Sequence, residues 1–426
     1  DPIMFNWKNV SKWLYPGMKV KRWGILGILS ALLVGFSLIL LIGRARIGVL
    51  YDLLASDPVY YYLVAGLTFV GGVLGLIWSV SSLALSVAGP MDLFNQPPSD
   101  LIWKSRLLSK GPKVVAIGGG TGLSVLLRGL KKYTSNITAI VTVMDDGGSS
   151  GRLRREMDML PPGDIRNCLL ALADDESRMS EILQYRFKNG AELGGHSLGN
   201  LVIAGLEQIE GSFDRAIEET SKLLNIRGRV IPSTLKNTNL VARLEGGNIL
   251  TGESALSDHP ERIEEIKLEE EAPPYPPAVA EIKDADVIIL GPGSLFTSLI
   301  PNLLVDGLAE SLKKSSGKKY YVINIMTEPG ETEGMSAIDH LKVLSKYLDP
   351  ETLDYAVLNT GGADEELLDR YAREGAELVE PDLVNDNEYG IKPLMADLVD
   401  TVELEGKRTV KHDSDRLAEL ILGSID

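Results

Sequence analysis

The sequence predicts an α/β protein: a three-layer domain on a mostly parallel sheet, residues 113–426, preceded by a two-helix transmembrane hairpin, residues 23–91. Three observations carry this. Apolar β-type runs alternate with helical periodicity from Lys113 onward, which favours parallel strands with helices on both faces. Glycine-rich turns follow the strand ends, where open α/β sheets place ligands. Near the N-terminus, residues 23–43 and 59–91 carry no charge.

Those two stretches are each long enough for a bilayer core of roughly 30 Å, which takes about 20 apolar residues; the spans are placed at about 23–43 and 59–90. Lys8, Lys12, Lys19, Lys21 and Arg22 precede the first, and Lys104, Arg106, Lys110 and Lys113 follow the second. Between them Arg44 and Arg46 are offset by Asp52 and Asp57. The positive-inside bias thus predicts a multi-pass protein of the cell membrane with both termini cytoplasmic. Tyr60, Tyr61 and Tyr62 suit the interface, and Gly71-x-x-x-Gly75 suits close contact with the first helix. A cleaved signal peptide is disfavoured by the second span, and a buried hairpin of a soluble protein by the length. Residues 1–22 form a cytoplasmic segment in which Asp1-Pro2-Ile3 reads as a cloning remnant, and 92–112, with Pro97-Pro98, a juxtamembrane linker.

In the domain, strands are expected at 113–117, 137–144, 287–290, 320–325 and 355–358. Helices are expected at 123–132, 165–173, 179–187, 198–207, 213–224, 303–313 and 337–348. Short β-type runs within 230–251, around Glu245-Gly246-Gly247-Asn248, have the signature of a hairpin. The acidic, proline-rich stretch 261–277 reads as a solvated loop. No internal repeat is apparent.

Charge and composition narrow the function. With 59 acidic against 43 basic residues the net charge is −16, which opposes nucleic-acid binding. One cysteine, Cys168, excludes a disulfide framework and a cysteine-rich zinc site. Four histidines without H-E-x-x-H argue against histidine-bound metal. Oxygen-ligated magnesium stays open.

The run 114–122, Val-Val-Ala-Ile-Gly-Gly-Gly-Thr-Gly, turns a buried strand into a helix through glycines, so Gly119, Gly120, Thr121 and Gly122 can present backbone N–H groups to an anion. The bland alternative is a turn that merely packs a strand on a helix. It is not a dinucleotide fingerprint, because Leu123 and Val125 stand where the two registers need glycine or alanine, and no Walker lysine follows. After the second strand, Asp145-Asp146-Gly147-Gly148-Ser149-Ser150 offers carboxylates for ribose hydroxyls or for magnesium on a diphosphate, or simply an Asx-turn. Asp164 and Asn167 open the next helix with Arg166, and His196 and Asn200 open another. Gly291, Gly293 and Ser294 form a second strand-to-helix anion nest, and the two nests together suit a diphosphate or nucleotide-sugar. Glu331 and Glu333 are candidate bases or sugar-hydroxyl acceptors. No activated nucleophile is evident, and Cys168 sits in an apolar helical setting.

Gly118–Gly122, Asp145–Gly151, 161–164 (Pro-Pro-Gly-Asp), His196–Asn200 and Gly291–Ser294, in this order, resemble the bacterial gluconeogenesis factor family, itself related to 2-phospho-L-lactate transferases of coenzyme F420 synthesis. The resemblance covers roughly residues 113–423. It implies a Rossmann-like fold that binds UDP-sugars, notably UDP-N-acetylglucosamine, and a role in adapting carbon metabolism, cell-wall synthesis and cell shape to the carbon source. It also implies that Asp145 or Asp146 contacts acceptor and metal. Family members often carry arginine before the histidine-aspartate pair near the carboxyl end; here Lys411 precedes His412-Asp413, keeping the charge but not the planar fork.

The expectation is a membrane-anchored UDP-sugar-binding regulator, homo-oligomeric, with partners in cell-wall synthesis or regulation. The competing expectation is an enzyme, a magnesium-dependent transferase using a nucleotide-diphosphate donor. A nicotinamide oxidoreductase ranks last because the fingerprint fails.

Overall fold

The computed structural model describes residues 20–42, 58–87 and 108–425, except 191–192, 258, 260 and 405–406. Residues 1–19 of the N-terminal segment, the loop between the apolar helices and residues 92–107 of the linker lie outside the described residues. The chain divides into two compact units, the first holding the apolar helices and the second the α/β domain.

In the first unit, α1 (Val20–Ile42) and α2 (Pro58–Val87) pair. Their windows Arg22–Leu40 and Tyr62–Ser82 have mean hydropathy 2.3 and 2.1, so both are long and apolar enough to cross a membrane by length and composition. Their contact uses small residues. A Cβ on Gly72 would come within 3.1 Å of the Ser30 carbonyl oxygen, and the Ser37 and Ser79 hydroxyls donate at 2.6 Å to the carbonyls of Ala65 and Trp23. The expected Gly71–Gly75 face is thus rotated by one residue: Gly72, Gly75 and Ser79 share a helical stripe, while Gly71 only reaches Leu33 at 4.0 Å. Ile28, Leu32, Leu67, Leu74 and Ile77 face outward.

The second unit runs β1 (Val114–Gly118), α3 (Gly120–Leu130), β2 (Ile137–Val141), α4 (Gly148–Met157), α5 (Gly163–Leu172), α6 (Glu176–Leu183), α7 (Leu198–Glu210), α8 (Phe213–Leu224) and β3 (Arg229–Pro232). A small subdomain follows: β4 (Leu240–Leu244), β5 (Ile249–Thr251), α9 (Glu253–Ser257) and β6 (Ile263–Leu268). The chain then resumes with α10 (Pro276–Asp284), β7 (Val287–Leu290), α11 (Ile300–Leu303), α12 (Leu308–Lys314), β8 (Lys318–Val322), α13 (Ala337–Leu344) and β9 (Tyr355–Asn359). It ends with α14 (Glu365–Arg373), β10 (Lys392–Ala396), β11 (Val399–Leu404), β12 (Lys407–His412) and α15 (Ser414–Gly423).

Seven strands form one Rossmann-like sheet, ordered β10-β9-β8-β7-β1-β2-β3, with every pair parallel. β1, β2 and β7 are buried at every position, as a sheet covered on both faces requires. From β1 the chain steps outward to β2 and β3, and from β7 to β8, β9 and β10. The order therefore reverses between β1 and β7, and the loops after these strands part to leave a crevice at their carboxyl ends.

In the second unit three further points differ from expectation. The stretch 261–277 is not simply a loop, because β6 pairs antiparallel with β4, burying Ile263 and Ile266 while Arg243 pairs with Glu264 and Glu265 at 2.5 and 3.0 Å. The dense negative charge masked two apolar positions that matter only once β4 lies alongside. The helix expected at 303–313 is broken: α11 follows a π-turn at Leu295–Leu299, and Gly307, at φ 74°, starts α12 afresh. Finally, α14, β10, the β11–β12 ribbon and α15 lie beyond the last expected element.

Candidate functional site

A cavity of about 450 Å³ opens at the β1/β7 reversal. Gly119, Gly120, Thr121 and Gly122 line one side, and Pro292, Gly293 and Ser294 the other. The two glycine corners touch: a Cβ on Gly122 would stand 2.6 Å from the Pro292 carbonyl oxygen. Only a residue without a side chain permits this approach. Gly119 gives α3 no side-chain cap, so apart from Gly120 N–H, which Asp164 engages, its first-turn amides are left for another acceptor. Gly291 lies beneath the cavity rather than in its wall, against the Val322 carbonyl.

Lys411, on β12, reaches over the same helix start, its Nζ 3.3 Å from Thr121 Oγ1. Burial lowers its pKa, while nearby Glu328 opposes that shift. The ribbon thus delivers a cation to an amide corner, a pairing that suits phosphate oxygens.

The loop after β8 completes the wall. Asn324 Oδ1 accepts from Gly293 N–H at 3.1 Å, and its Nδ2 donates to Glu328 Oε1 at 3.4 Å. Glu331 accepts from the hydroxyls of Ser294 and Thr297. Burial raises the pKa of both glutamates, and the charge of Glu331 adds to the effect on Glu328. His412 also lines the cavity, and burial pushes it down to about 4, so it is neutral at pH 7.

One rim of the first corner is already engaged. Asp164, at the start of α5, accepts from Gly120 N–H, and its carboxyl would stand 2.6 Å from a Cβ on Gly119. Burial, and then the charge of Asp145, pushes Asp164 up to about 7. Glu253, hydrogen-bonded to Asp145, is raised by burial and by the charges of Asp145 and Asp164. Between its usual 3.8 and the folded value, Asp164 holds a proton that the unfolded chain has released, so stability falls as pH climbs through that window. Glu253 and Glu328 act in the same direction. Acidification from pH 8 to pH 6 is expected to raise Tm by about 2–4 °C in scanning calorimetry. Asp164→Asn should show a smaller rise, and an undiminished one would mean that this carboxyl is not the titrating group.

The aspartate pair separates. Asp145 Oδ1 accepts from Gly147 N–H at 2.8 Å, the Asx-turn geometry. Asp146 Oδ1 accepts from the backbone N–H and hydroxyl of Ser254, at 2.8 and 2.6 Å, and lines a different cavity, of about 400 Å³, with Arg154 and Asn237. Among the described residues no group of three or more His, Cys, Asp or Glu side chains is arranged to hold a metal.

Ser149, Asn167, His196 and Asn200 do meet one another, away from the 450 Å³ cavity. Ser149 Oγ lies 3.0 Å from His196 Nδ1 and accepts from Asn200 Nδ2 at 3.0 Å. Arg166 donates to Ser197, Asn200 and Asn167 at 2.5, 2.6 and 3.0 Å. This buried network braces α4, α5 and α7 against one another. Glu333 is exposed, whereas Glu331 faces the cavity. Sequence reasoning passed over Asn324, Glu328, Thr297, His412 and Glu253. The strand-end rule that singled out Glu331 reaches Asn324 and Glu328 equally; Glu253 arrives from the subdomain with no local signal.

Comparison with known proteins bears on the fold and the family. The profile of the family described as 2-phospho-L-lactate transferase CofD matches residues 114–399. A Clostridium acetobutylicum protein, provisionally named a gluconeogenesis factor, is 41% identical over 423 residues, 97% of this chain and 91% of its own, so the match includes the apolar helices. The Bacillus subtilis gluconeogenesis factor is 42% identical over 316 residues, 74% of this chain and 98% of its own. A crystal structure of a Bacillus halodurans protein superposes with TM-score 0.70 at 43% identity, covering 74% of this chain and 100% of that one. The chain belongs to the gluconeogenesis factor family, on the fold of the 2-phospho-L-lactate transferases.

Proposed function

We propose that the α/β domain binds a UDP-sugar, with UDP-N-acetylglucosamine the leading ligand, and that it acts as a regulator linking carbon supply to cell-wall synthesis and cell shape. The observation that carries the binding is the meeting of two glycine corners and Lys411 on one cavity. A diphosphate there gains first-turn amides from α3 and a lysine ammonium at once. A cavity of this size matches a nucleotide-sugar rather than a free phosphate. The regulatory role rests on the relatives' name and on the family resemblance; α1 and α2 would hold the domain at the membrane, near wall-synthesis or regulatory partners, as a homo-oligomer.

Calorimetry on the full chain in detergent is expected to show saturable binding of UDP-N-acetylglucosamine. Silence at millimolar ligand would remove the proposal, and release of the chain from membranes by alkaline carbonate would remove the anchor. The transferase reading is favoured by the matched family. Product formed from a nucleotide-diphosphate donor with magnesium would establish it. In the structure the carboxylates of the aspartate pair accept from different partners, Gly147 and Ser254.

A further inference from the structure

Of the residues that line the 450 Å³ cavity, two carry a buried side-chain polar atom without a hydrogen-bond partner: Glu328 Oε2 and His412 Nε2. The His412 ring bonds the Ile323 backbone, a bond the imidazole has to donate to a carbonyl. With that proton on Nδ1, Nε2 presents a lone pair. His412 Nε2 is therefore an acceptor, and Glu328 Oε2 is one whenever its carboxyl is ionised; buried acceptors left unmatched cost free energy until a donor arrives.

The diphosphate of a nucleotide-sugar cannot supply that donor, because it is esterified at both ends, fully ionised at neutral pH and offers only acceptors, and a carboxylate repels it. Hydroxyl groups can. Position fits as well: Asn324 bridges Gly293 N–H to Glu328 Oε1, which sets the carboxyl one side-chain length from the second glycine corner. In a nucleotide-sugar, the groups one step from the diphosphate are the ribose and the hexose rings, each carrying hydroxyls.

We propose that Glu328 and His412 form a two-acceptor reader for ring hydroxyls flanking the diphosphate, and so select a glycosylated or ribosylated diphosphate over a bare one. This rests on the nucleotide-sugar reading of the cavity. Glu331, by contrast, is saturated by Ser294 and Thr297 and fixes the loop.

Calorimetry with pyrophosphate, UDP and UDP-N-acetylglucosamine on the wild type and Glu328→Gln separates the possibilities. Pyrophosphate should bind the variant at least as tightly as the wild type, because a repelling charge is removed, and that binding also shows that the corners are intact. UDP-N-acetylglucosamine should bind about tenfold more weakly, as expected for loss of a hydrogen bond to a charged group. An equal loss for UDP assigns the contact to ribose, and a loss confined to the sugar nucleotide assigns it to the hexose. Unchanged affinity for both nucleotides would overturn the reader while leaving the diphosphate site standing. A wild type that binds none of the three overturns the site and the reader together.

Discussion

Lys411→Ala is expected to weaken UDP-N-acetylglucosamine binding by about 10- to 150-fold, the range for loss of a hydrogen bond to a charged group. Lys411 is the cation that stands at the start of α3, held 3.3 Å from Thr121 Oγ1. Its surroundings are acidic: Glu328 faces it across the cavity, and Asp164 engages the same corner. Without the ammonium, a diphosphate would meet carboxyls with only peptide dipoles to offset them. Lys411→Arg should retain most of the affinity, since charge is kept and a fork is added. Calorimetry decides, with the Tm of each variant as a check on folding. Wild-type affinity in Lys411→Ala would place the diphosphate elsewhere.

Gly129→Ala is expected to destabilise the domain by about 2–3 kcal/mol, although helix propensity alone favours alanine over glycine, by up to about 1 kcal/mol in a helix interior and less here in the last turn of α3. The new Cβ would lie 1.8 Å from the Ser414 carbonyl oxygen and 2.8 Å from Ala418 Cβ, so α3 and α15 would have to part. α15 has little freedom to yield. Asp413 caps it through the Asp415 and Arg416 amides, and Arg416 ties it to the carbonyls of Asp397 and Val399. Because the segment before α15 carries Lys411 and His412, the same substitution should also impair ligand binding. Denaturant unfolding measures the effect; a midpoint equal to or above wild type would show that the helices are less closely packed.

These two residues mark where sequence reasoning reached and where it stopped. Lys411 was legible through a family pattern, yet its role as a partner of Thr121 was not, since the two are 290 residues apart. Gly129 carried no signal, because the atom that forbids a side chain belongs to α15. Asp145 and Asp146 looked like one pair by adjacency. In the fold, adjacent side chains after a strand point apart, and each was taken by a different backbone partner. His196 and Asn200 were legible as a polar helix start and Ser149 as part of a polar turn after the second strand, but whether these groups face a ligand or one another depends on how α4, α5 and α7 pack.

What the chain alone determined is what short-range chemistry controls: apolar runs that become buried parallel strands, glycines that break them into anion-directed corners, and two uncharged stretches long enough for a bilayer. The tertiary structure decided which corners meet, which carboxyls crowd them and which acceptors stay without a donor. Those outcomes depend on through-space distance between segments far apart in the chain, and burial changes the charge of a carboxyl such as Asp164 only after the strands and helices around it have closed.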